Sequence, residues 1–229
     1  MAFYSSVQPY LYSYLQVVKD QPVATAGRVT QTFAFTSTIS AIAVSFFIKF
    51  TRRYRVFVIG GCVLYISGLL LMLYDHKGRS STAVTFGIQA IVGSGAGLVN
   101  VPVQLGVQAS ANHQEVAAAT AIFLTALEMG GAVGSAISGA IWTSSVPSKL
   151  QQYLPPESQK DAQEIFGKLT KALSYPMGSP TRIAINRAYE ETMGRILINA
   201  VCVTIPLIPL SLLMKNYRLD KVGFESSIP

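Results

Sequence analysis

Four runs in this sequence contain no charged residue: residues 29–48, 56–74, 80–112 and 196–214. A fifth, residues 116–145, is broken only by Glu128. Each is close to or longer than the ~20 residues a helix needs to cross the hydrocarbon of a bilayer. A soluble helix of that length presents a polar stripe to water, and these have none. Residues 2–18, apolar but rich in tyrosine and glutamine, make a weaker sixth span. The chain reads as an all-α integral membrane protein. Charged residues are 13% of it, about half the share of an ordinary soluble domain.

The formal charge of +7 raises the question of nucleic acid, and its distribution answers no. Lys49, Arg52, Arg53 and Arg55 crowd one short connection, and Lys215, Arg218 and Lys221 follow the last apolar run. Basic residues beside spans mark the cytoplasmic side. Counting from there predicts five spans in residues 1–144, with Met1 already inside the first. An extracytoplasmic loop follows at 145–193, then a last span at 194–215 and a cytoplasmic tail at 216–229. The connections at 19–28 and 75–81 fall outside, and the turn carrying His113 and Glu115 falls inside. The bilayer itself is the first partner.

The long loop carries its own pattern. Ala162, Ile165, Phe166, Leu169, Ala172 and Leu173 recur at helical spacing, predicting one amphipathic helix over 157–173. SYPMGSPTR follows as a turn, with Ser179 suited to cap a helix whose first residue is Pro180. That helix is expected to run into the last span and bend near Pro206 and Pro209.

Within the spans, LEMGGAVGSAISGAIW repeats small residues every four positions. On a helix, Gly130, Gly134 and Ser138 form one ridge, and Gly131, Ser135 and Gly139 form the next. Small-residue ridges let membrane helices approach closely, so these glycines and Ser135 are assigned to packing. Gly93, Gly95 and Gly97 lack the strand and acidic partner of a dinucleotide site and read as packing or bending positions, ahead of a kink at Pro102. Asn100, Gln104 and Gln108 are polar at membrane depth and should face protein or a water-filled cavity. Tyr10 and Tyr14 share one helix face, where an interfacial belt and a cavity lining are both open readings.

Glu128 is the one acidic residue deep within a run. A lone intramembrane carboxylate is a functional candidate by default, here for proton coupling; a protonated packing residue is the alternative. Cys62 and Cys202 fall in apolar runs without metal or disulfide spacing and read as small buried hydrophobes. The sequence offers no catalytic residues, metal ligands or cofactor motif, so an enzyme is not expected.

GGAVGSAISGAIWTSSVPSKLQQYLPPESQ, followed by LTKALSYPMGSPTRIAINRAY, resembles the fungal siderophore–iron transporters of the major facilitator superfamily. YLQVV, AGRVTQTF and ASANHQEVAAATA extend the similarity along the chain. The resemblance covers the C-terminal half of such a transporter and implies a six-helix half-bundle that pairs with a missing N-terminal half. It implies transport of a ferric siderophore with protons across the plasma membrane, or across an endosomal membrane. Iron comes already chelated, so no ligand cluster is needed. Tyr175, Pro176, Gly178, Ser179, Pro180 and Arg182 form the family's outer-loop signature, either folding the loop or gating and receiving substrate. Two other readings stay open: half of a drug exporter, and a truncated membrane protein without transport of its own.

Overall fold

The computed structural model describes residues 2–76, 81–112 and 114–214, apart from the side chains of residues 2–5. His113 and the tail at 216–229, with Arg218 and Lys221, lie outside the described residues. The described segments are helices joined by turns: α1 Ala2–Val17, α2 Val23–Thr51, α3 Arg55–Asp75, α4 Thr82–Ser110 and α5 Val116–Tyr153, then α6 Ala162–Gly167, α7 Leu169–Ser174, α8 Pro180–Thr204 and α9 Leu207–Leu213. Five of the spans are long and apolar enough to cross a membrane, the last being α8 and α9 together, Pro180–Leu213. Helix α1, at 16 residues, is the sixth of the bundle.

Two kinds of helix contact build the bundle. Helices α2 and α3 each lie along α4, and glycine seals both contacts. A Cβ at Gly95 would sit 2.5 Å from the Tyr65 backbone nitrogen, so only glycine lets α3 and α4 touch there. Gly93 and Gly97 meet the α2 backbone at Phe33 and Ser37 in the same way. The GSGAG run is therefore a two-sided packing device, and Pro102 lies inside α4 without ending it.

Helix α1 packs against α5 and α8 instead. Its buried face, with Leu11 and Leu15, and Val18 just past its end, joins Val146, Leu150, Ile185 and Leu197 in one continuous core. Tyr10 stacks on Trp142, with ring centroids 4.6 Å apart, and Trp142 meets Tyr189 edge-on at 5.2 Å.

Several sequence expectations need correction. The outer loop, expected from residue 145, opens as helix: α5 runs on through Pro147 to Tyr153. A mid-helix proline costs about 3 kcal/mol, but Val146 and Leu150 on either side of it are fully buried in the core that α5 shares with α1 and α8. At 38 residues, α5 is about 57 Å long, against a hydrocarbon thickness of about 30 Å. It must project well beyond the bilayer. The amphipathic segment at 157–173 is not one helix: a 3-10 turn at Gln159–Asp161 leads into α6, and extended backbone at Lys168 separates α6 from α7. Breaking there sends Ala162 and Ile165 from α6, and Ala172 from α7, into the same core. The connection from 154 to 179 thus folds as a cap on the projecting ends of α5 and α8.

The small-residue ridges of α5 are mostly uncovered. Gly131 and Ser138 are buried, and the Gly139 Cβ direction points at the Tyr10 hydroxyl. Gly130 and Gly134 are half-buried, whereas Ser135, Val133 and Ile137 are exposed. Cys62 is buried as expected, but Cys202 is exposed. The expected bend of the last span is present: α8 gives way to α9 at Ile205 and Pro206.

Candidate functional site

The outer-loop signature is built around Arg182, whose side chain is 1% exposed. Ser179 caps α8 by accepting from the Arg182 backbone N–H at 3.2 Å, with Pro180 as first helical residue. Gly178 precedes it at φ 87°, a conformation glycine adopts without Cβ strain. The turn aims the guanidinium inward. There Nη1 donates to the Ala172 carbonyl at 2.6 Å, and Nη2 donates to the Val17 carbonyl at 2.8 Å. Asp20 lies 3.8 Å away as a more exposed counter-charge. One cation thereby caps the C-terminus of both α1 and α7, where free carbonyls concentrate partial negative charge.

Tyr175 completes the cap by donating to Asp161 Oδ2 at 2.9 Å, with Lys171 Nζ 3.5 Å from the same oxygen. The Tyr175 hydrogen bond, and then the Lys171 charge, hold the Asp161 carboxyl below its usual range. Burial pushes the Tyr175 phenol up, and Asp161 raises Lys171. Pro176 is exposed on the turn. Nearby, Glu191 joins α8 to α5: it pairs with Lys149 and accepts from Tyr153 at 3.0 Å and from Arg187 at 3.1 Å.

The apolar spans form a partly open cavity of about 300 Å³ lined by Phe33, Ser37, Thr38, Cys62, Tyr65 and Asn100, among others. A second space along α2 and α4 shares Ser37, Thr38 and Asn100. Asn100 thus lies on a cavity wall. Gln104 is half-buried two positions beyond Pro102, and Gln108 donates to Thr120 of α5 at 3.2 Å. The structure does not bring the two tyrosines to this cavity. Tyr14 is buried at 3% exposure with its hydroxyl on the His76 carbonyl, and Tyr10 faces Trp142. Glu128 sits on an exposed face of α5.

The sequence reading passed over a buried charge pair. Lys19 Nζ is 2.8 Å from Asp75 Oδ2 and 2.7 Å from Thr85 Oγ1, and Thr85 donates to Asp75 at 3.2 Å. Asp75 is the one buried carboxylate among the described residues. One turn down α4, Gln89 accepts from Gln8 at 3.3 Å. A signal was present: opposite charges end two spans, and Thr85 and Gln89 stand four apart in an apolar run. Among the described residues, no group of three or more His, Cys, Asp or Glu side chains could hold a metal ion.

Comparison with known proteins decides the family. The siderophore iron transporter mirC of Emericella nidulans is 69% identical over 99% of this chain. The chain belongs to the fungal siderophore–iron transporters. The MFS siderochrome iron transporter C of Aspergillus fumigatus is 65% identical over 98% of the chain, and siderophore iron transporter 1 of Saccharomyces cerevisiae is 27% identical over 95%. The chain spans about 37% of the length of the first two, consistent with the C-terminal half of such a siderophore–iron transporter. No family model and no solved structure matches it.

Proposed function

We propose that this chain forms the C-terminal half of a ferric-siderophore transporter driven by proton symport, working at the plasma membrane or an endosomal membrane. The identity to proteins named as siderophore iron transporters carries the reading. The geometry supports it through one feature: the α5 and α2 faces are left open. Ile122, Met129, Val133 and Ile137 on α5 are exposed, as are Phe35, Ile39 and Ile42 on α2. Exposed beside them is the polar Glu128. Hydrocarbon penalises such a group by several kcal/mol when unpaired, whereas a second half-bundle would cover it. Superfamily members bind substrate between two halves and rock about it. In this reading Asn100 and Gln104 line the substrate path. Gly130, Gly134 and Ser135 receive the N-terminal half, and the Arg182 cap braces the outer ends of α1 and α8.

The test is reconstitution in liposomes of the chain alone and of the chain joined to the N-terminal portion of the Emericella nidulans relative. Ferric-siderophore uptake down a proton gradient is expected only for the joined protein. Robust uptake by the chain alone overturns the half-transporter reading. Drug efflux without siderophore uptake by the joined protein overturns the substrate.

A further inference from the structure

The short turn between α2 and α3 is held in one shape. Arg52 closes α2 in the left-handed region, at φ 53°, and its backbone N–H donates to the Ile48 carbonyl at 2.7 Å. Glycine is the usual residue at such a helix end, because a Cβ crowds the backbone there. Tyr54 then turns inward and is 1% exposed. Its ring fills the space that a Cβ on Gly106 of α4 would need, 2.9 Å from Cε2. The Tyr54 carbonyl accepts from Phe57 and Val58 at the start of α3, at 3.1 and 3.2 Å. The buried ring fixes the turn, and with it the positions from which the charged side chains on either side project.

Four cations stand within these seven residues: Lys49, Arg52, Arg53 and Arg55. The first three are exposed and Arg55 is half-buried. No acidic residue occurs between Asp20 and Asp75. No carboxylate of the described residues pairs with Lys49, Arg53 or Arg55. Arg55 Nη2 donates to the Leu212 carbonyl near the end of α9, while its Nε has no acceptor among the described residues. Helix charge accounts for half of the cluster. Lys49 and Arg52 offset the negative C-terminus of α2, but Arg53 and Arg55 stand at the positive N-terminus of α3, where a cation is disfavoured. The first turn of α3 offers no acidic residue and no side-chain cap to relieve them. Orienting the chain in the membrane would be served by cations anywhere beside the spans, so it does not explain that placement either.

An apolar stripe begins beside these charges. Val56, Val63, Leu70 and Tyr74 follow one face of α3 at helical spacing, and all are exposed. From Val56 to Tyr74 the helix rises about 27 Å, close to the hydrocarbon thickness of about 30 Å. The turn therefore lies at the headgroup level of one leaflet. Leu212, whose carbonyl Arg55 reaches, and Leu213 are exposed on the neighbouring α9. This stripe carries no charge, whereas the open face of α5 carries Glu128. Hydrocarbon suits the first face and a protein partner the second.

We propose that the α2–α3 turn docks an anionic phospholipid of the cytoplasmic leaflet, with its headgroup among Lys49, Arg53 and Arg55 and an acyl chain along the α3 stripe. The inference does not depend on the transported cargo. It rests on the orientation that the basic connections assign, which puts the turn at the leaflet where anionic lipids concentrate. Phosphate oxygens match the donor fork of a guanidinium, and their charge relieves the two arginines that the end of α3 opposes. A soluble anion would answer the charges alone; the stripe that starts at Val56 selects a lipid. Because Arg55 already reaches α9, the bound lipid braces α2, α3 and α9 at one end.

The experiment titrates the purified full chain, in neutral detergent, with phosphatidylserine or with phosphatidylcholine of the same acyl chains, and counts retained lipids by native mass spectrometry. Phosphatidylserine should be retained at a concentration about tenfold lower. Arg53→Gln should weaken that retention about fivefold, the effect of one basic residue at an anionic surface. Both Arg53 and Lys49 are exposed, so these changes leave the core intact, and the double change with Lys49→Gln should weaken retention further. Arg28→Gln removes an exposed charge at the other end of α2 and should leave retention unchanged. Glycerophosphoserine, the headgroup without acyl chains, should not displace the lipid. The chain joined to an N-terminal portion should keep the preference, because that portion covers α2 and α5 rather than α3. Equal retention of the two lipids, or equal weakening by Arg28→Gln and Arg53→Gln, overturns the proposal. Displacement by glycerophosphoserine makes the turn a soluble-anion site and overturns the lipid. Loss of the preference in the joined protein puts the partner half on the turn and overturns it as well.

Discussion

Arg182 and Val17 are 165 positions apart in sequence, and the guanidinium of one donates to the carbonyl of the other at 2.8 Å. That bond, with the companion bond to Ala172, ties the first helix to the folded outer loop and to the start of the last span. The signature turn around Gly178 and Ser179 serves to place one buried cation.

Replacing that cation conservatively is therefore expected to be costly. Arg182→Lys keeps the charge but loses the fork that reaches two carbonyls in different elements. Loss of hydrogen bonds to a charged group is worth about 1.5–3 kcal/mol. The variant should unfold at a lower temperature in detergent and be nicked faster by protease within residues 155–178. Equal melting and nicking would remove Arg182 as the clamp.

The cap should also respond to acid. The Asp161 carboxyl is held below its ordinary value by Tyr175 first and Lys171 second. A depressed carboxyl stabilises the fold fully above the unfolded pKa, and that contribution fades as pH falls through the folded one. Lys171, raised by Asp161 and then Glu164, contributes below its unfolded pKa and loses this as pH rises through the folded value. Protease resistance of the 155–178 segment should thus hold at neutral pH and fall on acidification. Tyr175→Phe should bring that fall at higher pH. An acid profile unchanged by Tyr175→Phe would contradict the assignment.

Glycines should divide sharply by position. Gly95→Val forces a side chain into the Tyr65 backbone, whereas nothing lies within 4 Å of a Cβ at Gly60. Overpacking of this kind costs about 1–3 kcal/mol or more, and Gly→Ala in an open helix site gains up to about 1 kcal/mol. Gly95→Val is expected to lower folded yield in membranes, and Gly60→Ala to hold or raise it. Comparable yields for the two variants would undo the glycine-sealed description of the α3–α4 contact.

Glu128 tests whether the open face of α5 is covered. Glu128 is on an exposed face of α5, where a second half would cover it. Glu128→Gln in the joined protein should weaken association of the halves or slow proton-driven accumulation. A crosslink between cysteines placed at residue 128 and on the N-terminal portion checks whether that face is covered. No crosslink at any partner position would return the residue to lipid.

The span pattern, the last span's break near Pro206, the Ser179 cap and the family were legible in the sequence. These depend on local facts: an uncharged run of sufficient length, a proline without an N–H, a serine oxygen one turn from a free amide. Tertiary structure decided the rest. Helix α5 outran Pro147 because Leu150 and Val146 found a core shared with α1 and α8 to bury in, a gain no local pattern reports. The amphipathic segment broke at Lys168 because α6 and α7 share one core rather than one axis. Tyr14, for which an interfacial belt and a cavity lining were both open, buries its hydroxyl on the His76 carbonyl instead, and the small ridges of α5 stayed open while Gly93, Gly95 and Gly97 took up the close contacts. Lys19 and Asp75 read as loop charges 56 residues apart. Only the tertiary fold, which sets Lys19 beside Asp75 and Thr85, excluded water from both and turned two solvated ends into a buried pair.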